Sequence, residues 1–114
     1  MLTSGERASQ DTGPQAGNRS AVFVSAEGDE LRSLDIGAPG AELRVIVILE
    51  AEQGELRLDV LDGDGAVALS AQSRPDDQVT RSGIIAAGAD GLLRYRVSAR
   101  GARNGGYQLL YQQQ

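Results

Sequence analysis

Gly91-Leu92-Leu93-Arg94-Tyr95-Arg96-Val97-Ser98-Ala99, followed by Asn104-Gly105-Gly106-Tyr107-Gln108-Leu109-Leu110-Tyr111, is the stretch that decides the fold. Its residues alternate with period 2, the spacing that puts every second side chain on one face of a β-strand. Leu93, Tyr95, Val97 and Ala99 point one way, and Arg94, Arg96 and Ser98 the other. Tyr107, Leu109 and Tyr111 repeat the inward set. The spacing predicts two strands joined by a loop ending in Asn-Gly-Gly, the closing hairpin of an antiparallel β-sandwich.

The same grammar runs backwards through the chain. Leu43-Arg44-Val45-Ile46-Val47-Ile48-Leu49 is the strongest strand signal, apolar on both faces and therefore central or covered on both sides. Glu52-Gln53-Gly54 reads as a turn into Glu55–Leu61, where Leu56, Leu58 and Val60 go in and Glu55, Arg57 and Asp59 go out. Asp62-Gly63-Asp64-Gly65 is a hairpin turn, because Asp-Gly pairs tolerate positive φ. Ala66–Ala71 and Val79–Ala87 are further strands, and Ala21–Val24 and Leu31–Ile36 are two more, separated by a turn at Glu27-Gly28-Asp29. The expected fold is an all-β antiparallel sandwich of about eight strands, jelly-roll-like. Residues 1–20 are rich in Ser, Gly and Gln and read as a loop-like lead-in packed on or linked to a sandwich domain at 21–114.

Composition bounds the chemistry. The 114 residues suit one domain and one core. All eleven basic residues are Arg, and there is no His, Cys or Trp. The formal net charge of −5 opposes nucleic-acid binding, which needs a basic face. No apolar run approaches the roughly 20 residues of a helical membrane span. Without His, Cys or Lys the common general bases and activated nucleophiles are missing. The carboxylate pairs Asp62/Asp64 and Asp76/Asp77 lie in short polar loops rather than in an apolar pocket, so no enzyme activity is expected. Asp62 and Asp64 are the calcium candidates, but their spacing lacks the fuller ligand ladder of a calcium loop, and no cofactor is expected. A sugar platform needs exposed rings, whereas Tyr95, Tyr107 and Tyr111 share phase with the core.

Two surfaces remain as partner sites. Ile46 and Ile48 lie opposite the core set of their strand and, with Leu61, Ile84 and Leu110, form an expected apolar outer patch suited to a homodimer or a neighbouring domain. Arg94, Arg96, Arg100 and Arg103 follow Asp90 with no acid among them, an expected contact for an anion or acidic protein, or for head-to-tail self-association. The same charges also guard a strand against edge-to-edge aggregation.

In order, Leu2-Thr3-Ser4-Gly5, Leu34 to Val45, Gly54 to Gly65, and Gly91 to Val97 with Gly106-Tyr107-Gln108-Leu109 resemble the bacterial pre-peptidase C-terminal domain. The chain departs from that pattern at Leu31-Arg32-Ser33, where an aromatic is common, and at Leu92-Leu93-Arg94, which separate Gly91 from Tyr95. The resemblance implies a non-catalytic accessory or binding module of a secreted or cell-surface bacterial protein, aiding targeting, secretion or protein interaction. It further implies a secreted, periplasmic or cell-surface location, with a leader removed ahead of Met1, and a protein partner or parent catalytic domain. A small assembly protein that oligomerises through the apolar sheet face is the alternative.

Overall fold

In a computed structural model, which describes residues 1–75 and 77–114, the chain forms seven strands and no helix among the described residues. They are β1 (Leu2–Ser4), β2 (Arg7–Asp11), β3 (Ala16–Asp35), β4 (Glu42–Leu61), β5 (Val67–Gln72), β6 (Val79–Ala86) and β7 (Leu92–Gln113). Every pairing among these seven strands is antiparallel. β7 lies between β3 and β4 along almost its whole length. β1 and β2 extend the sheet beyond the first part of β3, β6 pairs with the first part of β4, and β5 with its second part.

The three long strands cannot be straight. A strand of 22 residues would span about 75 Å, whereas the longest dimension of the molecule is 36 Å. The sheet folds at one transverse row, marked by Gly28 (φ 106°), Gly54 (φ 77°) and Gly101 (φ 58°). Pairing slips there, between Ala26 and Gly28 on β3 and between Gln53 and Glu55 on β4. Such bulges sharpen the local bend of a strand. Tyr95 and Tyr107, both on β7, meet across the fold with ring centroids 6.1 Å apart and planes at 62°.

The result is two layers sharing three strands. The first holds β1 and β2, then 16–26 of β3, 102–113 of β7, 42–53 of β4, and β6. The second holds 28–35 of β3, 92–100 of β7, 55–61 of β4, and β5. Between them lies one core, including Leu43, Val45, Val47, Leu49, Leu56, Leu58, Val60, Leu93, Tyr95, Val97, Tyr107 and Leu109. The fold is the all-β, antiparallel, jelly-roll-like class that the alternation implied.

Three reversals expected from sequence are bends. The segment 91–111 is not a hairpin: it is one strand, folded at Gly101 and at Asn104, which takes φ 49°. Glu27-Gly28-Asp29 and Glu52-Gln53-Gly54 likewise bend β3 and β4 without turning them back. Seven strands therefore replace about eight shorter ones. Residues 1–20, read as loop-like, supply β1, β2 and the start of β3. The Asp62 turn is a true reversal: Asp62 and Ala66 close it by a backbone hydrogen bond of 2.8 Å, and β5 returns on β4.

Candidate functional site

Each layer presents one outer face, and the predicted site residues divide between them. On the second layer, cross-strand register builds rows. Asp29, Ser98, Arg57 and Gln72 form one row, and Leu31, Arg96, Asp59 and Ser70 the next. Arg100 stands opposite Glu55. Together Glu55, Arg57, Asp59, Val67, Gln72, Arg96, Ser98 and Arg100 line a groove of about 360 Å³.

Asp59 organises that groove. Its position faces outward, yet its side chain is only 6% exposed. One carboxylate oxygen accepts from Arg57 Nε at 2.9 Å and from the Ser70 hydroxyl at 2.7 Å. A buried carboxylate needs such partners to offset its lost hydration. The bond also fixes the plane of the Arg57 guanidinium through Nε, leaving four further N–H donors on its terminal nitrogens. Among the described residues, neither those donors nor Arg96 has another hydrogen-bond partner. Arg100 reaches Asp29 at 3.4 Å, and the Ser98 hydroxyl and the Arg100 guanidinium hold the Asp29 carboxyl below its ordinary pKa.

The four predicted arginines do not form one cluster. Arg96 and Arg100 share the groove. Arg94 stands at the end of the layer and is paired with Asp90, whose carboxyl it holds below the ordinary range. Arg103 lies beyond the bend, in a separate groove of about 360 Å³ with Thr3, Ser25 and Glu27. Sequence reasoning missed Arg57 and Asp59 as a pair. The only signal was their placement at i and i+2 on the outward face of one strand.

The apolar patch lies on the outer face of the first layer. Ile46 and Ile48 are half-buried there, opposite Leu110 and Gln108 of β7 and Ser82 and Thr80 of β6. Ile84 (51% exposed) and Val22 (55%) flank them. Leu61 does not join: it belongs to the second layer and is buried. A depression of about 410 Å³ on this face is lined by Asp11, Ala16, Asn18, Arg44, Ile46 and Leu110, among others.

At the β4–β5 turn, Asp62 accepts from the amides of Asp64 (2.9 Å) and Ala66 (3.1 Å), so its carboxylate is engaged in shaping the turn. Among the described residues no group of three or more His, Cys, Asp or Glu side chains gathers as metal ligands. Asp76, of the Asp76/Asp77 pair, lies outside the described residues. Phe23, Tyr95, Tyr107 and Tyr111 are all buried, so none forms an exposed platform.

No protein-family model matches the sequence. No curated protein matches it either. Solved structures share the fold at low identity. The CBM22-1 xylan-binding domain of Paenibacillus barcinonensis aligns with a TM-score of 0.52 at 13% identity, covering 96% of this chain and 81% of that one. A chain of the disulfide-linked pili that form Bacillus endospore appendages aligns at 0.53 and 7% identity, covering 99% and 94%. The CBM22-1 and GH10 modules of a Clostridium thermocellum xylanase, complexed with xylohexaose, align at 0.54 and 8% identity, covering 96% of this chain and 25% of that one.

Proposed function

We propose that the chain is a non-catalytic binding module of a secreted or cell-surface protein, and that the groove over the second layer takes an acidic side chain of a protein partner or of a neighbouring domain. One observation carries the reading: Arg57, oriented by the buried Asp59, stands diagonally beside Arg96, with Arg100 on the other side of Ser98. Preorganised guanidinium donors bind carboxylate in charge-assisted, often paired hydrogen bonds. The sandwich fold shared with binding modules and the pre-peptidase-like motifs support an accessory role. Fold alone does not assign a ligand.

Carbohydrate binding is the second reading, favoured by the fold of the xylan-binding domain. The groove offers donors and acceptors for hydroxyls but no ring on which a sugar stacks.

Amide NMR shifts during titration separate the two. A short glutamate-rich peptide is expected to shift the amides of Arg57, Gln72, Arg96 and Ser98, with xylohexaose giving none. Arg96→Glu combined with Arg57→Gln is expected to abolish the response. Silence toward the peptide, or shifts with xylohexaose alone, overturns the acidic-partner reading.

A further inference from the structure

We propose that the outer face of the first layer binds a second copy of this chain, β4 lying antiparallel over its partner's β4. The outward residues of this part of β4 are, in order, Arg44, Ile46, Ile48 and Glu50: a cation, two apolar side chains and an anion. This order is complementary to its own reverse. A two-fold axis lying between the faces, across the strands and midway between Ile46 and Ile48, sets Arg44 against the partner copy's Glu50 at both ends. It also sets Ile46 against the other copy's Ile48. Such an isologous contact uses one patch twice and closes at two copies.

The neighbouring strands agree with that operator. Adjacent to Arg44 on β7 is Gln112, and opposite Gln112 on β3 is Ala16; the corresponding row at Glu50 runs through Gly106 to Val22. The axis exchanges these two rows. The exposed Val22 of each copy then stands over Ala16 of the other, a small residue lining the 410 Å³ depression. On β6, Ser82 meets Thr80. No like charges are opposed along β4, β6 or β7. Among the described residues neither Arg44 nor Glu50 has an intramolecular salt bridge that would compete. Aligned packing of two twisted sheets brings such faces together at about 30°.

The inference concerns a different face from the arginine groove and stands or falls separately from it. Sedimentation measured over a concentration series tests it, with circular dichroism confirming that each variant is folded. The native chain is expected to pass from monomer to dimer, and Arg44→Glu or Glu50→Arg alone to weaken dimerisation by about tenfold or more, because each replaces two attractive contacts by two repulsive ones. The two single variants mixed together are expected to form a heterodimer, since one chain then carries acids at both positions and the other carries arginines at both. The double exchange Arg44→Glu/Glu50→Arg is expected to restore self-association. A native chain that stays monomeric up to about 1 mM overturns the proposal. So does a dimer indifferent to these exchanges.

Discussion

Tyr111 holds Gly13 at both of its backbone groups: the phenol accepts from the Gly13 amide at 2.9 Å and donates to the Gly13 carbonyl at 2.7 Å. One side chain on the closing strand thereby satisfies the loop between β2 and β3. Gly17 is the complement of this contact, because a Cβ there would stand 2.5 Å from the phenol oxygen. Tyr111→Phe keeps the ring and deletes both bonds. It is expected to destabilise the fold by about 1–3 kcal/mol, the range for part-buried groups left without partners. Urea unfolding checks this: the midpoint should fall with little change in slope.

The bend row predicts an ordering among glycines. A Cβ on Gly54 would come within 2.2 Å of the Gly101 carbonyl oxygen, and its φ of 77° adds strain for any L side chain. Gly37, with φ 71°, has open space around the added atom. Gly54→Ala is expected to cost about 2–4 kcal/mol and Gly37→Ala about 1 kcal/mol. Thermal melts of the two variants side by side decide it. Equal costs would mean that the tight approach of β4 to β7 does not constrain the fold.

Removing the Asp59 carboxylate leaves the Ser70 hydroxyl and Arg57 Nε without their acceptor. Asp59→Ala is expected to destabilise by about 1–3 kcal/mol and to weaken groove binding as well, because Arg57 loses its orientation. Asp59→Asn retains an acceptor and is expected to keep more of both. Denaturation combined with the peptide titration separates stability from binding.

Alkaline pH is expected to unfold the chain. Burial raises the Tyr95 phenol well above its ordinary value of 10.0, and Tyr111 is raised in the same direction by burial. The unfolded chain therefore releases these protons first. Stability is full below the unfolded value of about 10 and declines as pH climbs from there toward the folded values. Tyrosinate absorbance should rise together with loss of the β-sheet signal, and Tyr95→Phe should flatten the decline. Ionisation of Tyr95 in a chain that remains folded would contradict this account.

The sequence showed which side chains face inward far better than it showed where the chain turns. Leu93, Tyr95, Val97 and Ala99 are buried as their period requires, and Leu56, Leu58 and Val60 likewise. Period-2 alternation records the face of each residue and nothing about the direction of the next segment. A positive-φ glycine serves a reversal and a bend equally well. At Asp62 the following strand pairs back on β4, whereas after Gly54 it continues beside the same β7. That choice depends on a β7 partner about 45 residues further along the chain, so no local pattern carries it. Leu31 follows the same alternation: it is odd-numbered where the buried Leu34 and Ile36 are even, and it is 61% exposed. For the proposed binding surfaces, charge along the chain singled out Arg94, Arg96, Arg100 and Arg103 alike, of which Arg96 and Arg100 share one groove. Cross-strand register was needed to bring Arg57 to them and to send Arg103 elsewhere.

β3 and β4 pair with the same neighbour and not with each other: β7 lies between them in the sheet of both layers. Before β7 is available, β3 can make its hairpin with β2, and β4 can gather β5 and β6, but neither set can close on the other. The decisive pairings are long-range, the class that folds slowly and late. A ribosome that still holds the 22 residues of β7 thus holds two unfinished half-sheets, and the native core forms only once β7 is released.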